Sequence, residues 1–122
     1  MPTFHLSLPV PELRASVTFF SSVLAAEVTH VDASGYYVNL DLAGVQLTLT
    51  LARRPHEAPS ELHFGINFNI PDFRSIEARV KTLAPDSIEQ HAHVVDAGTP
   101  RERHKMYLRC PAGSRIEIKG SG

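Results

Sequence analysis

The chain has 122 residues, with 12 basic and 13 acidic side chains and a net charge of -1. That balance argues against a nucleic-acid or anionic-membrane partner, which would need a basic stripe. No stretch reaches the roughly 18 apolar residues of a membrane span, and no charged-then-apolar leader opens the chain. The single cysteine, Cys110, excludes an intrachain disulfide and suits a reducing compartment, so a cytoplasmic protein of one domain is expected over 1–122. Seven histidines favour metal or acid–base chemistry.

Phe4-His5-Leu6-Ser7-Leu8 alternates, with Phe4, Leu6 and Leu8 on an apolar face and His5 and Ser7 on a polar one. Pro9 and Pro11 are expected to end this strand. A helix is expected over Glu12 to Ala26, where Leu13, Val17, Phe20 and Leu24 recur at helical steps. Three strands follow, at Val28 to Val31, Tyr36 to Leu42 and Val45 to Leu51. Ala33-Ser34-Gly35 and Ala43-Gly44 form the turns between them. Residues 1–52 thus read as a βαβββ module, and Arg53 to Ser60 as a polar connector with two prolines.

The order then begins again across 61–119. Leu62, Phe64, Ile66 and Phe68 alternate with His63, Gly65 and Asn67. Pro71-Asp72 opens a second helix, Phe73 to Leu83, with an apolar stripe of Phe73, Ile76, Val80 and Leu83. Strands are expected at Ile88 to Val95, Lys105 to Arg109 and Ser114 to Lys119, with a polar loop from Asp96 to Arg103. Gly120-Ser121-Gly122 carries no fold signal.

The chain is therefore a tandem repeat of about 58 residues, the separation of His5 from His63. Gly44 matches Gly113 in role, at the turn before each unit's last strand, and counting on from those glycines pairs Gln46 with Arg115 and Thr48 with Glu117. The expected fold is α+β: two βαβββ modules forming curved mixed sheets, with helices outside and the polar strand faces turned towards one cleft. Those faces hold His5, Ser7, Gln46, Thr48, His63, Asn67 and Glu117. Two imidazoles and a carboxylate make a facial-triad donor set with open positions, so His5, His63 and Glu117 are the candidate metal ligands. Iron(II), manganese, zinc or nickel all suit such donors. The ordinary alternative is that each is a hydrogen-bonded or ion-paired strand residue. His91, His93 and His104 read as exposed.

The segments F-H-L-S-L-P-V-P-E-L at 4–13, L-H-F-G-I at 62–66 and M-Y-L-R-C-P-A-G-S-R-I-E-I-K at 106–119 resemble the vicinal oxygen chelate superfamily. It includes glyoxalase I, extradiol dioxygenases, fosfomycin-resistance proteins and bleomycin-binding proteins. The resemblance spans residues 4 to 119 and implies His5, His63 and Glu117 as metal ligands. Glyoxalase I places a fourth ligand where Thr48 stands here, and a threonine hydroxyl is a poor ligand. The three-ligand extradiol and fosfomycin-resistance forms fit better. Both carry a tyrosine ten residues before the ligand glutamate, which implies a catalytic role for Tyr107. Ser7 matches a threonine of the fosfomycin-resistance proteins, and Cys110 replaces an aspartate of the family turn. The second-shell histidine of extradiol enzymes is missing from its place at 98–100; His91, His93 or His104 is the available substitute.

The leading expectation is a metal-dependent enzyme that chelates a small molecule through adjacent oxygens, as extradiol dioxygenases do. Tyr107 would be catalytic, and Ser7, Gln46, Thr48 and Asn67 would contact substrate. A fosfomycin-resistance-type thiol transferase or epoxide-opening enzyme is the alternative within the class. Outside it stands a metal-free drug-binding protein gripping ligand with Tyr36, Tyr37 and phenylalanines. A homodimer is expected, because each module's sheet leaves edges to cover. The triad would form either within one chain or with His5 supplied by a second copy.

Overall fold

The computed structural model describes residues 4–53, 63–111 and 113–122. β1 (His5–Val10) leads into α1 (Leu13–Thr18), which widens into a π-helical turn at Phe19–Val23. β2 (Glu27–Val31), β3 (Tyr37–Leu42) and β4 (Val45–Leu51) follow. The order then repeats as β5 (His63–Asn69), α2 (Ile70–Leu83), β6 (Ile88–Val95), β7 (Arg103–Arg109) and β8 (Arg115–Ser121). The result is the expected α+β pair of βαβββ units. Their strands lie in two four-stranded sheets, ordered β1-β4-β3-β2 and β5-β8-β7-β6.

In each sheet the first and last strands of the unit pair in parallel, which the intervening helix permits, and the other pairs are antiparallel. The repeat holds at the level of register. Ser7, Thr48 and Asn39 form one cross-strand row, as Gly65, Glu117 and Tyr107 do in the second sheet. Gly44 and Gly113 both take left-handed φ, 83° and 88°, at the turn before each last strand. One face of each sheet is apolar. Leu8, Val10, Leu40, Leu47 and Leu49 are buried on the first, and Ile66, Met106, Leu108, Ile116 and Ile118 on the second. α1 packs on β3 and β4, α2 packs on β5 and β8, and α2 also meets the π-helical turn. The opposite, polar faces are left free of helix. No helix among the described residues is long and apolar enough to cross a membrane.

Several local expectations change. β1 continues through Pro9 to Val10, with Pro9 opposite Thr50. A proline is tolerated there because β1 is the outer strand of its sheet, so a missing N–H need not break a ladder. The first helix stops being α-helical at Thr18 rather than running to Ala26. The π-helical turn inserts extra chain per turn, so Phe19 and Phe20, then Val23 and Leu24, all face the core. Ser16, fully buried, keeps its hydroxyl satisfied by donating to Glu12 O at 2.9 Å. α2 starts three residues earlier than expected. Asn69 Oδ1 caps it by accepting from Asp72 N at 2.8 Å, and Pro71 sits in its first turn. Leu83, at the end of its stripe, is 57% exposed. β7 begins at Arg103, two residues early, and β8 carries on through Gly120 and Ser121, which sequence reading left without structure. The connector from residue 54, Leu62 and Ala112 lie outside the described residues.

Candidate metal and substrate site

The polar face of the second sheet is built in three cross-strand rows. Arg109, Arg115 and His63 form one; Gln90, Tyr107, Glu117 and Gly65 the next; His93, Lys105, Lys119 and Asn67 the third. Residues directly opposite across strands point to the same side, so these side chains are neighbours. Glu117 is at the centre and is buried, 9% exposed.

Four groups converge on its carboxylate. The Tyr107 hydroxyl donates to Oε1 at 3.2 Å, and His63 Nε2 lies 3.4 Å from Oε2. Lys105 Nζ is 3.9 Å from Oε1 and Lys119 Nζ is 3.8 Å from Oε2. The His63 ring also meets the Tyr107 ring edge-on, with centroids 6.1 Å apart. Burial, then the Glu117 charge and its hydrogen bond, push the Tyr107 phenol above its ordinary value, partly offset by Arg115. Tyr107 therefore holds its proton at neutral pH and acts as a donor. The Arg115 guanidinium lies 5.4 Å over the Tyr107 ring.

The arginine row has its own counter-charge. Glu89 receives Arg109 Nε at 2.7 Å on Oε2 and Arg115 Nη2 on Oε1. These arginines, Arg115 first, hold the Glu89 carboxyl below its ordinary 4.5. A lowered folded value means the contribution to stability is present above 4.5 and is lost as pH falls through the depressed value. Unfolding midpoints measured against pH should therefore show Glu89→Gln less stable than wild type at neutral pH, with the gap closing below about pH 4.5.

The remaining sequence candidates divide clearly. His5, Ser7 and Gln46 are exposed and Thr48 half-buried on the polar face of the first sheet. Thr48 donates to Asn39 Oδ1 at 2.8 Å, where the second sheet has Tyr107 and Glu117. Asn67 is exposed on β5. His63, Glu117 and Tyr107 come together; His5 does not join them. Among the described residues no three His, Cys, Asp or Glu side chains converge to hold a metal, and His5 makes no side-chain hydrogen bond or ion pair. His104 is not exposed: its ring packs on Phe73 at 5.6 Å and faces Glu102 at 3.4 Å, on the core side of β7. Of the three substitute histidines, His93 shares a row with the site. Tyr37 faces the first sheet's polar side near His30, and Tyr36 lies under Arg53. Sequence reading missed Lys105 and Glu89. The signal for Lys105 was its spacing of two from Tyr107, which puts both on one strand face.

The donor chemistry fits a divalent cation at His63 and Glu117. Two donors about 2.1 Å from one cation stand roughly 3.0 to 3.4 Å apart, and these two are 3.4 Å apart. Gly65, opposite Glu117, has no side chain to fill the space between His63 and Asn67. A separate apolar cavity of about 340 Å³ lies between the units, lined by Leu6, Leu42, Leu47, Phe64 and Ile66 among others. It touches the polar face only at Gly65 and Asn67, so it is not the donor cluster.

The sequence profile of the Glyoxalase/Bleomycin resistance protein/Dioxygenase superfamily matches residues 3–118. The chain belongs to this superfamily. No curated protein matches the sequence. Solved structures with the same fold include a glyoxalase/bleomycin resistance protein/dioxygenase from Alicyclobacillus acidocaldarius. It is 22% identical, with a TM-score of 0.76, and the match covers 98% of this chain and 91% of that one. A fosfomycin resistance protein from Listeria monocytogenes is 14% identical, with a TM-score of 0.75 over 100% and 92% of the two chains. A lactoylglutathione lyase from Agrobacterium tumefaciens is 19% identical, with a TM-score of 0.71 over 98% and 92%. At these identities the likeness is one of fold, and superfamily members as a class bind small molecules and generally depend on a divalent metal.

Proposed function

We propose that the protein is a metal-dependent enzyme acting on a small molecule chelated through adjacent oxygens, with extradiol-dioxygenase-like chemistry as the leading reading. The observation that carries it is the meeting of His63, Tyr107 and Glu117 on one polar face at ligand spacing. A bound divalent ion would supply Lewis-acid stabilisation of negative charge developing on substrate oxygen. His63 and Glu117 would hold it. Tyr107, protonated and hydrogen-bonded to Glu117, would orient a substrate oxygen or hand it a proton from Oη. A fosfomycin-resistance-type transferase or epoxide-opening reaction uses the same residues.

We place the third ligand, His5, in a second copy of the chain. The support is its position on the other sheet, free of side-chain partners, with β1 and β5 both outer strands. A homodimer would then bring one chain's His5 to the other's His63 and Glu117. Mixing His5→Ala with His63→Ala protein, each unable to hold metal alone, is expected to restore about a quarter of the sites, because half the dimers are mixed and each carries one intact site. Metal analysis of chelator-free protein after mixing reads this; no recovery at any ratio would place the site within one chain.

The second reading is a metal-free binding module. It is favoured by the Tyr107 hydrogen bond and the three basic side chains already gathered on Glu117. Equal, negligible metal in wild type and His63→Ala would select it.

A further inference from the structure

The two cationic rows flanking Glu117 differ in one respect. Arg109 and Arg115 lie opposite each other, and Glu89 bridges them with one oxygen to each. Lys105 and Lys119 also lie directly opposite each other, a like-charge pairing that costs stability. Among the described residues no carboxylate serves this pair alone. Their ion-pair partner among the described residues is Glu117, at 3.9 and 3.8 Å, the long end of ion-pair distance, and they share it with Tyr107 and His63. Their row continues into Asn67 on one side and His93 on the other, both able to donate and neither acidic. Beside this row Gly65 adds no side chain, and its backbone lies close against Glu117.

We propose that Lys105 and Lys119 form a recognition site for an oxyanion group of the substrate, a carboxylate or a phosphonate, with Asn67 and His93 closing the ends of the row. The proposal deepens the enzyme reading and rests on it in one respect: with Glu117 committed to a metal, the two ammonium groups lose their shared counter-charge. An acidic group on the substrate supplies it. Lysine suits this task as a compact charge with three rotatable donors, able to bind carboxylate or tetrahedral oxyanion alike. The bound acid would lie one row, roughly 6.5–7 Å, from the chelating oxygens at Glu117, so the substrate class is a small oxygenated acid rather than a neutral catechol.

The test uses methylphosphonate and propionate as probes, titrated into full-length chelator-treated protein and into zinc-loaded protein, followed by calorimetry or NMR shifts. Wild type is expected to bind at least one probe saturably, and the stronger of the two identifies the oxyanion class. Lys105→Met with Lys119→Met is expected to weaken that binding by about tenfold or more. Lys105→Arg with Lys119→Arg is expected to retain most of it, which controls for folding. Arg103→Met, whose arginine already pairs with Asp96, is expected to leave it unchanged. No binding by wild type in either state, or affinity within twofold of wild type in the Lys→Met double variant, would overturn the proposal. Zinc kept by the zinc-loaded samples after dialysis separates the two readings. Probe binding without retained metal sinks the metal site and leaves the lysine pair standing; retained metal without probe binding does the reverse.

Discussion

Glu117→Gln is expected to abolish metal retention, with affinity reduced by about 100-fold or more. Loss of a hydrogen-bonded residue behind a ligand already costs 10–100-fold as a rough range, and loss of the ligand's charge costs at least as much. The amide keeps the shape of the carboxylate and can still accept from the Tyr107 hydroxyl, so the variant should fold. Its other consequence follows from the two ammonium groups about 4 Å from the carboxylate. Without the charge they face each other uncompensated, at a cost of about 1 kcal/mol, kept small by the partial exposure of both lysines. Metal analysis of chelator-free protein and a denaturant titration separate the two effects. Wild-type metal content in Glu117→Gln would remove Glu117 from the ligand set. A metal-free protein would show the stability loss alone.

Residues whose roles depend on local alternation were legible. Period-two patterning fixes which face each strand residue takes, so it puts His63 and Glu117 on polar faces, and the 58-residue spacing of His5 and His63 marks the tandem modules, whereas Tyr107 is singled out by the family resemblance. Register between strands was not legible. The opposition of Lys105 to Lys119 depends on how β7 meets β8, and the Glu89 bridge depends on an irregular β6 with two register shifts. The position of His5 relative to His63 depends on how two sheets pack, which no periodicity encodes. The π-helical turn escaped detection because both a regular and a widened helix bury Phe20 and Leu24; only the added burial of Phe19 and Val23 distinguishes them. His104 was misplaced because its strand begins two residues before the alternation becomes clear.

Gly120→Ala is expected to destabilise the protein by about 1–3 kcal/mol, the usual cost of overfilling a packed core. Gly120 lies on the core side of β8, directly opposite His104, and α2 presses on it. A Cβ there would stand 2.6 Å from Phe73 Cβ and 2.9 Å from its Cγ, closer than real side chains approach. Phe73 has nowhere to retreat: it is 1% exposed, in the first turn of a helix capped by Asn69, with His104 on its ring. The sign is diagnostic, because Gly→Ala at an unstrained site stabilises by roughly 0.4–1 kcal/mol through the unfolded chain. A melting-temperature fall of roughly 5–10 °C is expected, whereas Gly122→Ala, with open space around it, should be near neutral. Phe73→Ala removes the Cγ and ring that the new methyl would meet, keeps only the Cβ, and leaves space into which α2 can shift. Added to Gly120→Ala it should therefore cost less than the sum of the two single changes, and strict additivity would mean that the close approach of β8 to α2 is not what requires the glycine.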